Sequence, residues 1–432
     1  MPNGCKHQAE ILRLSSQYAG TRDTMSKTSM SADQAIKKYK SLLKGRELLI
    51  ELDWQTYLGI DAPYAATHFN ETEVQLRYQR NGYDWDIHGR LYMPQTQALP
   101  GYSFVLIHGG GVNELDFQVT PDGRPGLARV LASQGFQVLT PSYPGLWPPG
   151  GKWKVPVCER KPFYILDRTL SDDEIHDRSL KATYQMYMQG ISMLVEKHLA
   201  GENLLVMGHS TGGPMAADLY EYLATSKVAG IVGWGSGGYD GWILQWRKAT
   251  GLSGFPEGRD VGERPLGSII YRTVDEYRHA AGYEDLPELT PWGRMEQRFE
   301  LVKETAPAFN PELQIVSHEG NTKRLEQYQQ ATGLPRADYV GHLKEPDSSF
   351  LRGIKVLLMV GENDKNHWQT GGESLGARQD GFVAKLYEEK ARRAHLVLIP
   401  KLTHMGHWAL HNEKLVYLWL WAVKAGYFGE IH

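Results

Sequence analysis

The feature that most constrains this chain is one short turn. Gly208-His209-Ser210-Thr211-Gly212-Gly213 follows the apolar run Leu204-Leu205-Val206-Met207 and leads into a helical stretch. A G-x-S-x-G string carries meaning in that setting, with a buried strand before it and a helix after it. The turn is so tight that side chains two residues either side of the serine would collide with neighbouring backbone, hence the two glycines. It lifts the hydroxyl above the carboxyl edge of a parallel sheet, where ligands bind in open α/β sheets. The helix N-terminus behind it favours developing negative charge. Ser210 is therefore the candidate nucleophile, and the turn presupposes a sheet to stand on.

The rest of the chain supplies that sheet. Alternation in Val74-Gln75-Leu76-Arg77-Tyr78 and Ile87-His88-Gly89-Arg90-Leu91-Tyr92 predicts antiparallel strands. Short apolar runs then recur at Phe104–Ile107, Phe136–Leu139, Leu204–Met207, Val228–Val232, Ile354–Val360 and His395–Ile399, separated by helical stretches. Helices are expected over about 124–134, 172–199 (opened by Ser171 and Glu174 as a capping box), from the serine turn to about 224, and over 375–392 and 411–425. Strand–helix alternation of this kind predicts an α/β fold, a doubly wound and mostly parallel sheet. The rhythm breaks between 239 and 350, a stretch rich in Gly, Pro and aromatic residues, and a structureless loop of that length is rare. The division expected is a helical extension over 1–65, a core over 66–238 and 351–432, and a mainly helical cap over 239–350.

Three further pieces complete a reaction centre. His108-Gly109-Gly110-Gly111 ends a strand, and glycines there let backbone N–H groups approach a substrate oxygen. Gly110 and Gly111, with the N–H of Thr211, are the candidate oxyanion donors. A serine hydroxyl needs a base, and His404 lies in the loop after the last strand, with His407 and His411 as competitors. The carboxylate that orients such a histidine should come after an earlier strand: Asp364 is preferred, with Glu362 and Asp240 as alternatives. His209, Trp242, Trp246 and Tyr271 are candidate substrate contacts. The three histidines could be read as a metal cluster, but no H-E-x-x-H and no cysteine accompanies them, so no metal and no cofactor is expected. Gly233-Trp234-Gly235-Ser236-Gly237-Gly238 formally contains G-x-G-x-x-G, yet Tyr239-Asp240-Gly241-Trp242 is a poor start for a phosphate-binding helix. It reads instead as a loop rising to the active face.

Composition excludes several other classes. The 432 residues carry a formal net charge of -3 with no basic stripe, so nucleic acid is not an expected partner and a small-molecule substrate is. There is no apolar run long enough to span a membrane and no signal-peptide pattern, and Cys5 and Cys158 are the only cysteines, so a cytoplasmic protein with free thiols is expected. A homo-oligomer is left open.

With the pieces in the order Ser210, Asp364, His404, the chain resembles the α/β-hydrolase superfamily, in its serine esterase and lipase branch. The resemblance covers about 100–238 and 350–425. It implies a Ser-His-Asp triad, an oxyanion hole, and a lid between the sixth and seventh strands, where 239–350 falls. The H-G-G-G turn is similar to that of hormone-sensitive-lipase-like esterases, which usually carry an acidic residue before the serine; here His209 stands in that place. The activity that the resemblance implies is hydrolysis of a carboxylic ester or lactone. C–C bond hydrolysis or acyl transfer on a polyketide-like or aromatic compound, and a non-catalytic binding role on the same scaffold, are the alternatives.

Overall fold

Among the described residues, eight strands form one sheet in the order β1-β2-β4-β3-β5-β6-β7-β8. They are β1 (Phe69–Arg80), β2 (Tyr83–Pro94), β3 (Tyr102–Ile107), β4 (Gln137–Pro141), β5 (Asn203–His209), β6 (Lys227–Trp234), β7 (Lys355–Gly361) and β8 (Arg393–Ile399). The computed structural model describes residues 68–109, 114–119, 125–144, 177, 180–236, 238–239, 241–242, 322–339, 347–361, 364, 375–399 and 404. The 1–65 extension, the 411–425 helix and most of the 239–350 segment lie outside these residues.

β1 and β2 run antiparallel to each other, as does β2 to β4, and β3 through β8 are parallel. The predicted α/β class and mostly parallel sheet are thus observed. The parallel strands are near-continuous apolar runs because both faces are covered. Their alternate residues go to opposite sides: Val105, Ile107, Leu204, Val206, Ile231, Val356 and Leu358 enter one core cluster, while Phe104, Leu106, Leu205, Met207, Val232, Leu357 and Met359 enter another. The second face is covered by α1 (Leu115–Gln118) and α2 (Leu127–Ser133). The first is covered by α3 (Tyr184–Leu199), α4 (Gly212–Asp218) and, beyond the segments α5 (Thr322–Thr332), α6 (Arg336–Tyr339) and α7 (Ser348–Gly353), by α8 (Leu375–Lys390).

One helix differs from expectation. A continuous helix over 172–199 is interrupted at 181–183, and α3 begins at Tyr184 with Thr183 as its cap, the Thr183 side chain accepting from the Met186 N–H. Thr183 at the N-cap satisfies an otherwise orphaned donor, a role that a residue far upstream cannot fill. Ser171 and Glu174, the predicted capping box, lie outside the described residues. The helix after the serine turn is also shorter than expected: α4 ends at Asp218 and tightens into a 3-10 turn over Leu219–Tyr222.

Strand lengths shape the active edge. β1 and β2 pair over all twelve residues of each, joined by Asn81-Gly82 at positive φ, but β2 meets β4 only from Gly89 to Tyr92. Asn-Gly is the natural pair for such a tight turn. Because Gly89 faces Pro141 at the carboxyl end of β4, the half of the hairpin before it projects beyond the sheet's carboxyl edge. Part of the 239–350 segment leans on this projection. Arg80 pairs with Asp338 of α6, and Tyr339 donates to the Leu180 carbonyl at 2.8 Å. Among the described residues no helix is long and apolar enough to cross a membrane.

Candidate active site

Five parallel strands and one antiparallel strand deliver polar side chains to the same edge. β5 ends at His209, and Ser210 comes next with φ +52, one of two described non-glycine residues in the left-handed region. Such a conformation costs of order 1–3 kcal/mol and persists only where its surroundings over-determine it. Here they do: the Ser210 N–H donates to the Trp234 carbonyl at 3.0 Å, and the Ser210 carbonyl accepts from Gly213 at 2.9 Å. A Cβ at Gly208 would lie 2.0 Å from the Gly212 carbonyl oxygen, and one at Gly212 would lie 2.4 Å from the Ile107 oxygen. The predicted collision is therefore physical, and the strained serine, half-buried, is fixed between strand and helix.

Asp364 and His404 meet at the same edge, where the His404 carbonyl accepts from His209, the residue before Ser210. The His404 Nδ1 stands 3.0 Å and 3.1 Å from the two Asp364 carboxylate oxygens, with both residues buried. A carboxylate accepts only, so Nδ1 carries the hydrogen and Nε2 is left with the lone pair, the tautomer a general base needs. Asp364 is braced by its own N–H, which donates to the Gly361 carbonyl at 2.9 Å. Close packing comes from Gly235, at φ +62, where a Cβ would stand 2.9 Å from both Asp364 Oδ2 and His404 Nδ1. The glycine-rich string after β6 thus abuts the acid–histidine pair.

The other sequence candidates distribute unevenly. Gly110, Gly111, Glu362, Asp240, His407, His411, Trp246 and Tyr271 lie outside the described residues. Thr211 is described, directly after Ser210 at the start of α4. Gly109 closes against the elbow: a Cβ there would lie 3.0 Å from the Ser210 Cβ and 2.8 Å from His209 Nδ1. Trp242 is 1% exposed and packs edge-on against Tyr239 and Tyr387, so the structure places it in the core rather than on an open wall. His209 is equally buried, its Nε2–H donating to the His404 carbonyl at 3.0 Å.

Several polar residues at this edge were not singled out from the sequence. Glu114 and Asp116, both buried, lie just after the glycine turn. His88 Nε2 lies 3.3 Å from Glu114, and His209 Nδ1 lies 3.7 Å from Asp116. Burial alone would raise the Glu114 carboxyl, but the charge and hydrogen bond of His88 outweigh it and hold it below its ordinary value. His108 is lowered by burial, and its ring packs on Tyr143, whose hydroxyl donates to the His108 carbonyl. On the opposite flank Asp380 of α8 is fully buried, with no hydrogen-bond partner among the described residues. Burial, then the charge of Asp364, raises it well above the usual carboxylate range. The signal available was weak: two acids alternating with Leu115 and Phe117, and one acid on the inner face of a helix.

The model of the Alpha/beta hydrolase family matches residues 104–416, and the chain belongs to that family. A hyperthermophilic esterase from Pyrobaculum calidifontis is 15% identical, with 99% of this chain and 100% of that one covered at a TM-score of 0.40. An esterase from Rhodococcus sp. ECU1013 is 15% identical, with 84% and 99% covered and a TM-score of 0.44. A serine hydrolase from Cycloclasticus zankles is 13% identical, with 82% and 99% covered and a TM-score of 0.40. Likenesses at this level do not reach substrate. Among curated proteins none matches this chain.

Proposed function

We propose that this α/β hydrolase cleaves a carboxylic ester or lactone bearing a hydrophobic or aromatic group, through an acyl-enzyme on Ser210. The observation that carries the reading is the strained Ser210 on its elbow, with the bonded Asp364–His404 pair tied to the preceding residue, His209, through the His404 carbonyl. In this account His404 Nε2 takes the proton as Ser210 Oγ attacks the acyl carbon. The oxyanion that forms accepts from the Thr211 N–H and from Gly110 and Gly111. Collapse expels the alcohol, which leaves with the proton from His404, and the serine ester remains. Water then adds by the same route, releasing the acid and restoring Ser210. Asp364 holds the imidazole tautomer and stabilises its cation without taking the proton itself. Trp246 and Tyr271 belong to the segment that would cap the acyl group, since such rings offer apolar area with a polar handle.

The test is Ser210→Ala against a panel of acyl and aryl esters and lactones. The expected loss in kcat is about 10⁴–10⁶-fold with the thermal midpoint preserved, as for removal of a member of a catalytic unit. Retention of more than a few per cent of wild-type rate would place the nucleophile elsewhere.

A further inference from the structure

His209 stands where three parts of the site converge. Its Nε2–H donates to the backbone carbonyl of His404 at 3.0 Å, and its ring centroid is 4.9 Å from that of His404. Its Nδ1 faces Asp116 Oδ2 at 3.7 Å, and the Cα of Gly109 packs directly against it. Because it immediately precedes Ser210, it links the loop bearing the base, the turn bearing the oxyanion donors and the nucleophile. The ring is 1% exposed, so it offers a substrate no surface.

The pattern of acceptors fixes its protonation. A carbonyl oxygen only accepts, so Nε2 must carry a hydrogen. A neutral ring would then turn the Nδ1 lone pair toward Asp116, setting lone pair against anion where that buried carboxylate is ionised. Only the doubly protonated ring presents a donor and a positive charge on both sides. The neighbouring groups are these: Asp116 faces His209, Glu114 after the glycine turn faces His88 of β2, and His108 and Tyr143 adjoin. From the far side His404 and Asp364 face it. An imidazolium held between two acceptors is a strut, and the strut reaches both halves of the catalytic apparatus.

We propose that His209 is a positioning residue, present as an imidazolium, which ties the His404 loop to the Asp116 segment and thereby sets the spacing between base and oxyanion turn. This deepens the acyl-enzyme reading and rests on it. Loss of the strut lowers kcat rather than raising KM, because displacement of reacting groups by about 1 Å can cost about 10²-fold in rate. Removal of a positive charge from the site is read as an upward displacement of the acidic limb of the pH profile.

The experiment combines nitrogen-15 NMR of histidine-labelled full-length protein with kinetics of His209→Gln and His209→Phe. The His209 resonances are assigned by their loss in whichever variant folds, and that spectrum needs no activity. The expected result is two protonated ring nitrogens in wild type at neutral pH. His209→Phe should lose about 10²-fold in kcat with KM changed less than about threefold. His209→Gln, which keeps a donor for the His404 carbonyl, should lose less but shift the acidic limb up by about half a pH unit or more. A singly protonated His209, or a His209→Gln profile superimposable on wild type, overturns the strut. Failure of the acyl-enzyme reading would show separately, as retained activity in Ser210→Ala with the NMR signature intact.

Discussion

The two flanks of the Ser210 elbow bury carboxylates equally deeply and treat them in opposite ways. On the β2–β3 side, Glu114 is 0% exposed, faces His88 and is held below its ordinary range. On the β7–β8 side, Asp380 is also 0% exposed, lies within the field of Asp364 rather than of an imidazole, and is raised far above its ordinary range. Burial penalises the charged form in both cases, and the partner decides the outcome. A buried acid beside an imidazole becomes a fixed counter-charge. A buried acid beside another acid becomes a neutral group. One flank thus holds a buried carboxylate below its ordinary range, and the other holds a buried acid raised above it near Asp364.

The comparison is most sharply tested at Asp364. Asp364→Asn should lower kcat by about 10⁴-fold, since an amide at that place favours the wrong histidine tautomer. Asp240→Asn should do far less. Equal losses, or the reverse ranking, would remove Asp364 from its role and with it the functional meaning of the second flank.

The next effect is on stability. Glu114→Gln removes the carboxylate of a buried acid–imidazole pair and should lower the melting temperature. The sign comes from the shift. A carboxyl lowered in the fold stabilises above its unfolded value, 4.5, and that contribution disappears as pH falls through the folded value. The melting deficit of Glu114→Gln should therefore be full at pH 7 and narrow below about pH 4. Asp380→Asn should behave in reverse, with a smaller effect. A carboxyl raised in the fold leaves the folded state holding the extra proton above the unfolded value of 3.8, so its burial costs stability increasingly as pH rises. The amide should therefore raise the melting temperature at pH 7–8 and change it little at pH 4. Parallel pH dependence in the two variants would show that the flanks do not differ as described.

How much of this was legible in the sequence depends on range. Glycine placement around Ser210 is a local steric demand, so the elbow and the order Ser210, Asp364, His404 can be read from the string, as can the apolar strands with their two covered faces. The break at 181–183 is not local: Thr183 caps α3 while the preceding residues turn toward the hairpin, with Asn81 donating to the Lys181 carbonyl at 2.8 Å. Helical periodicity runs through such a break unmarked. The acid–imidazole pairs are hidden for the same reason. His88 and Glu114, or Asp116 and His209, come together only when the sheet order brings β2 and β5 to the flanks of β4 and β3. Read alone, His209 resembles a side chain offered to substrate; only the His404 carbonyl turns it inward.

The central claim is that Ser210 forms the acyl-enzyme, and covalent trapping tests it most directly. The full-length protein is incubated with a fluorophosphonate, and the adduct is located by peptide mass spectrometry. One equivalent should attach at Ser210 as activity falls to zero, and Ser210→Ala should take up none. Inactivation with the adduct on another residue, or full activity with Ser210 quantitatively modified, would contradict the account.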